Sequence, residues 1–146
     1  MLLEDLKGLK MFDWKKPTAQ MLGRFQPWHD GHTALFKKAL EETGQVCIML
    51  RDVGGIVGKD AGGGRTKPQD DNPFDLGVVV DNINKALEKE GFTIDEDYII
   101  MSVPNIVDIS YGRDVGYTFT QHDLGKDIHN VSATKIREQM RRDGLL

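Results

Sequence analysis

The chain has 146 residues, 39% of them hydrophobic and 29% charged, with a net charge of -4, a pI near 5.5 and a mean hydropathy of -0.41. One domain is the default at that length, and the composition excludes a disordered or fibrous chain. The acidic balance argues against a nucleic-acid binder with a broad basic face. No apolar run reaches the ~18 residues of a membrane span, and the start has no secretory signal pattern. The single cysteine, Cys47, precludes an internal disulfide, and its apolar neighbours Val46, Ile48 and Met49 suit a reduced core thiol in a cytoplasmic protein.

Residues 1–16 form a leader in which Leu2, Leu3, Leu6 and Leu9 have helix-like spacing, and Pro17 ends it. The rest, 17–146, reads as one domain. Ala19–Leu22 is a short buried strand. Arg24–Gly31 is a loop, and a helix over about 31–43 ends at Gly44. Gln45–Arg51 is a continuous apolar run, expected in a sheet covered on both faces. Residues 52–71 hold six glycines and no apolar periodicity, so this segment is either a plain connector or a lid carrying Lys59, Arg65 and Lys67. Asn72 as N-cap and Pro73 at the first helical position open the next helix. Its stripe is Val79, Val80, Ile83, Ala86 and Leu87, and Gly91 stops it. Asp97–Val103 is a third strand, closed by Pro104. A further short strand is expected around 106–110 or 115–119. The last helix starts at Ser132, with Val131 and Ile136 as a hydrophobic staple and Ala133, Ile136 and Met140 on one face. Strands alternating with helices predict an α/β fold: a single Rossmann-like domain with a parallel sheet and helices on both faces. Such sheets bind ligands at the carboxyl ends of their strands.

Two segments stand at helix starts and carry donors. The first runs Gly23-Arg24-Phe25-Gln26-Pro27-Trp28-His29-Asp30-Gly31-His32, with two imidazoles three residues apart. The second runs Val131-Ser132-Ala133-Thr134-Lys135-Ile136-Arg137, with two hydroxyls and two cations. Helix N-termini favour anions, so each reads as a site for several phosphates in a row.

Together these segments resemble the nucleotidyltransferase superfamily marked by HxGH and ISxTxxR-type motifs. His29-Asp30-Gly31-His32 fits the first motif, and Val131 to Arg137 fits the second with Val in place of Ile. Within that superfamily, GRFQPWHDGH is most similar to the archaeal-type nicotinamide mononucleotide adenylyltransferases, which carry GRFQPxHxGH. Asn72-Pro73-Phe74 and Val103-Pro104-Asn105-Ile106 resemble that branch too, and the resemblance spans about residues 19–141. The stretch from Pro104 to Ser132 is shorter than in that branch.

The resemblance implies in-line attack by a small phosphorylated acceptor on the α-phosphate of a nucleoside triphosphate, with release of pyrophosphate. ATP is preferred as donor, and nicotinamide mononucleotide is the first candidate acceptor. His29, His32, Lys135 and Arg137 take the catalytic roles. The imidazoles meet the α/β-phosphates, while Arg24, Lys135 and Arg137 meet the β/γ-phosphates. Gly23, Arg24, Phe25, Gly31, Ser132, Thr134 and Arg113 bind the nucleotide or line its pocket. Magnesium accompanies the triphosphate with no protein ligand set assigned. A phosphate acceptor is already ionised, so no general base is needed.

Other readings stand beside these. His29 and His32 as a metal pair lack closely spaced ligands, since His122 and His129 are the only other histidines. Arg51 lies on the expected ligand edge or in a surface ion pair. Trp28 is a plug under the loop or a base-stacking ring. Arg113 or Asp114 lines a pocket or merely sits in a glycine-rich turn. A CTP-dependent cytidylyltransferase, a non-catalytic nucleotide-binding module and a fragment of a class I aminoacyl-tRNA synthetase are the competing functions. The last lacks room for a KMSKS-like loop. Partners are the nucleotide and acceptor, with homo-oligomers also implied, and neither nucleic acid nor membrane is expected.

Overall fold

A computed structural model describes residues 10–52, 72–113, 116–129 and 131–146. Three parallel strands form the sheet, β1 (Ala19–Gly23), β2 (Val46–Arg51) and β3 (Tyr98–Val103), in the order β1-β2-β3. Between them run α1 (Asp30–Thr43) and α2 (Leu76–Lys89), followed by α3 (Lys126–His129) and α4 (Ala133–Arg142). The register sets Ala19 beside Val46 and Gly23 beside Leu50, and Val46 beside Tyr98 and Arg51 beside Val103. The carboxyl ends of all three strands therefore share one edge. This is the α/β parallel sheet that the alternation of elements predicts.

The core lies between the sheet and the helices. Val46, Ile48 and Leu50 alternate along β2 and are fully buried with Phe36 of α1 and Val79, Ile83 and Leu87 of α2. Phe36 meets Phe92 and Tyr98 edge-on, at ring separations of 5.0 and 5.7 Å. The two faces are not covered equally. Cys47, Met49 and Arg51 on the opposite face are half-buried, and Met101, paired with Met49, is 36% exposed. The Cys47 thiol is free and pushed up by burial.

Local signals explain the helix ends. Gly44 takes φ +90° after α1, and its N–H donates to the Leu40 carbonyl. Ser132 caps α4 through its Oγ, which accepts from the Lys135 N–H. The start of α2 differs from expectation. Asp75, not Asn72, is the N-cap and accepts from Val78 N at 3.0 Å. Asn72 and Phe74 are instead held by hydrogen bonds to the loop after β1.

The extra strand expected in 105–120 is absent among the described residues there. Val107, Ile109, Tyr117 and Phe119 are all more than half exposed, and among the described residues no strand pairs with this segment. Residues 10–16 are not helical. They cross the amino-terminal end of the sheet, where Phe12 N donates to Asp95 O and Gln45 exchanges two hydrogen bonds with Asp13. The Lys10 ammonium reaches Asp97. The leucine-rich residues 1–9, nearly all of the glycine-rich segment with Lys59, Arg65 and Lys67, and Asp114 lie outside the described residues. Among those described, no helix is long and apolar enough to cross a membrane.

The unequal coverage makes a testable difference. Ile48→Ala should cost about 2–5 kcal/mol of stability, whereas Met101→Ala on the half-exposed face should cost under ~1 kcal/mol, both read by urea unfolding.

Candidate active site

The carboxyl edge of the sheet is shaped by the loop from Gly23 to His29. Phe25 adopts φ +53°, a left-handed conformation rare for a bulky side chain, and this turns the chain sharply out of β1. Its ring folds back under the loop, 5.0 Å from Trp28 and 4.9 Å edge-on to His32. Gly23 is required by this packing, because a Cβ there would come within 2.9 Å of the Phe25 ring. Trp28 is buried, and its indole N–H donates to Thr33 Oγ1 at 2.8 Å. It is thus the plug under the loop rather than a base-stacking ring.

Gln26 is 5% exposed and joins three segments. Its side-chain amide donates to Phe74 O and accepts from Phe74 N, at 2.8 and 2.9 Å. Its main-chain carbonyl accepts from Arg137 Nη1 at 2.7 Å. Arg137 is 4% exposed, and its Nη2 donates to Thr134 Oγ1. Expected on the terminal phosphates, Arg137 is turned inward and ties α4 to the loop after β1. Gln26 stands in the GRFQP stretch of the first motif, but nothing in that pattern points to its partners Phe74 and Arg137, and the sequence gives it no role.

The two histidines form one unit. His29 is the N-cap of α1, and its Nδ1 accepts from Gly31 N at 3.0 Å. His32 reaches back, its Nδ1 accepting from His29 N at 3.1 Å. This is a capping box built from imidazoles. The rings stack with centroids 3.8 Å apart. Gly31 is required beneath them, since a Cβ would lie 2.8 Å from His29 Cε1. Because each Nδ1 accepts, each neutral ring carries its proton on Nε2 and has that N–H to give. Both rings are held neutral. Burial lowers the His29 imidazole despite Asp30 beside it. Burial, then His29, lowers His32 to about 3.

The other predicted residues divide. Arg24 is half-buried at the same edge, with Nη1 donating to Asn72 Oδ1 at 3.3 Å. Ser132 and Thr134 sit at the start of α4, and Lys135 points into solvent. The Arg137–Gln26 bond brings this helix start to the loop that carries the histidine pair. Arg113 is exposed on the segment after β3 and, among the described residues, bonds to none of the others. His122 is half-buried in a loop, and His129 lies in α3. Among the described residues, no three His, Cys, Asp or Glu side chains gather to hold a metal.

The arrangement brings hydrogen-bond donors at two helix starts to one loop. The chain is 35% identical over 85 residues to a nicotinamide-nucleotide adenylyltransferase from Ignicoccus hospitalis. That match takes in 58% of this chain but only 43% of the relative, so the chain spans less than half the length of the protein it matches. The crystal structure of a bifunctional NMN adenylyltransferase/ADP ribose pyrophosphatase from Francisella tularensis is similar at a TM-score of 0.48 and 24% identity, covering 61% of this chain and 22% of that one. No protein-family profile matches the chain.

The half-buried His32 has a consequence for stability. Its folded pKa lies below that of the unfolded chain, so the unfolded state binds its proton first as pH falls. Stability is then lost from about pH 6.5 down toward 3, by up to ~1 kcal/mol per pH unit for this group. His32→Asn keeps a cap acceptor without the titration. Urea unfolding between pH 7 and 4 should show a shallower acid slope for that variant than for the wild type.

Proposed function

We propose that the chain transfers an adenylyl group from ATP to a small phosphorylated acceptor, nicotinamide mononucleotide first among candidates, and releases pyrophosphate. The observation that carries this is the stacked His29–His32 pair, two neutral imidazoles with Nε2–H donors at the N-terminus of α1. The named activity of the Ignicoccus relative supports it.

Transfer needs an ionised acceptor oxygen in line with the α-phosphate and donors aimed at the charge that develops there. The acceptor phosphate is ionised near pH 7, so no side chain must take a proton. His29 and His32 donate to the α/β-phosphates. A neutral pair can stack at 3.8 Å, whereas two imidazolium cations would repel. Arg24, Ser132, Thr134 and Lys135 hold the β- and γ-phosphates, with Lys135 free to swing in from solvent. Arg137 acts through the loop, as a positioning residue that fixes Gln26. A magnesium ion would arrive with the triphosphate, beside the phosphate donors Arg24 and Lys135. The ion would neutralise phosphate charge.

A CTP donor uses the same phosphate contacts and differs only at the base. Pyrophosphate release measured with ATP or CTP, magnesium and nicotinamide mononucleotide decides between them. Turnover with ATP is expected. His32→Ala should lower kcat by roughly 10²–10³-fold. Gln26→Leu removes both amide bonds to Phe74 and should also lower kcat, with the triphosphate still bound. Triphosphate binding without turnover for any acceptor would instead favour a binding module.

A further inference from the structure

The start of α1 carries a polar contact where helix starts usually carry an apolar one. With His29 as N-cap, Trp28 precedes the cap and Thr33 is the fourth residue of the helix. Those two positions ordinarily pack as a hydrophobic staple. Here a hydrogen bond joins them. The Trp28 indole N–H donates to Thr33 Oγ1 at 2.8 Å, and both residues are buried, at 7% and 9% exposure.

An apolar side chain at position 33 would staple the chain as well, without burying a hydroxyl. What the hydroxyl adds is direction. A buried indole has a single N–H and needs one acceptor, so the bond sets how the indole plane is turned. That plane packs against His32, with ring centroids 5.2 Å apart and a tilt of 41°. Phe25 touches both, 5.0 Å from Trp28 and 4.9 Å edge-on to His32, and His29 stacks on His32 at 3.8 Å. His32 is thus wedged among three rings. His29 is fixed by its bond to Gly31 N, Phe25 by its backbone turn, and Trp28 by Thr33.

We infer that Thr33 is a positioning residue for the transfer: by holding the Trp28 indole it fixes the His32 ring, and so the aim of its Nε2–H. The inference deepens the transfer reading above and rests on it for the effect on rate. The Thr33 hydroxyl is buried and committed to the indole, so it acts through Trp28 and not on a ligand. Aim matters here, because a misplacement of about 1 Å can cost roughly 10²-fold in rate.

The test is a double-mutant cycle with His32, read by pyrophosphate release from ATP, magnesium and nicotinamide mononucleotide. Imidazole 15N NMR of the same proteins without ligand accompanies it. Thr33→Val keeps the shape and removes the acceptor. It should lower kcat about tenfold or more while the KM for ATP stays within about threefold. Thr33→Ser restores the acceptor and should return kcat to within about threefold of wild type. In a His32→Ala background, Thr33→Val should cost less than about twofold further, because the ring it positions is gone. The His32 Nε2 signal should move in Thr33→Val and stay in place in Thr33→Ser. If the valine variant does not fold, Trp28→Phe removes the same bond, keeps an aromatic ring and carries the same expectations. An equal loss of kcat with and without His32 overturns the inference, as does an unmoved His32 signal in Thr33→Val. Wild-type protein without turnover overturns the transfer reading, and the His32 signal then decides the positioning role alone.

Discussion

The candidate site depends on one buried knot. Gln26 holds the segment that precedes α2 through its side chain and α4 through its backbone carbonyl. The partners are 48 and 111 residues away in the chain. Each such bond has a modest net value, about 0.5–1.5 kcal/mol, or about 1.5–3 where the donor is charged. The cost of breaking one is larger, because it strands buried polar groups with no water to meet them. The knot therefore locks the loop after β1 in its left-handed turn and brings the two phosphate-type motifs to one edge. With the packing of the Phe25 ring on Trp28 and His32, it opposes the strain of the left-handed Phe25.

The histidine pair shows how local helix chemistry sets up a site. Capping α1 uses the Nδ1 atoms of both rings, which leaves both Nε2–H groups for a ligand. The same burial that orients the rings keeps them neutral. Donors of this kind need no rearrangement when phosphate charge develops, which is where preorganisation gains its effect. Gly31 belongs to this unit through the space it leaves under His29, and Gly23 plays the same part under Phe25. Both glycines were expected near the nucleotide. In the fold they make room for aromatic rings that in turn place the donors.

Much of this was legible in the sequence. Continuous apolar runs marked the three strands, the Gly44 stop marked α1, and the paired motifs marked the edge that holds the donors. What was not legible came from tertiary contacts. Asn72 has the chemistry of a cap, but Arg24 engages it, so Asp75 caps α2 instead. The apolar residues after Pro104 suggested a strand, yet in the described residues they stay exposed. Arg137 was read as a phosphate ligand by its charge. Its spacing held the better clue: Ala133, Arg137 and Met140 lie i, i+4 and i+7, on the buried face of α4. The GRFQP pattern includes Gln26 but does not show its role, because its partners lie so far along the chain.

Imidazole 15N NMR during titration with a non-hydrolysable ATP analogue tests most directly whether the neutral histidine pair receives a polyphosphate. In the free protein, both Nδ1 atoms should be unprotonated acceptors and both Nε2 atoms protonated. The analogue should shift both Nε2 signals saturably while the Nδ1 signals stay in place. Unmoved Nε2 signals at saturating analogue, or protonated Nδ1 atoms in the free protein, would contradict the site described for this edge.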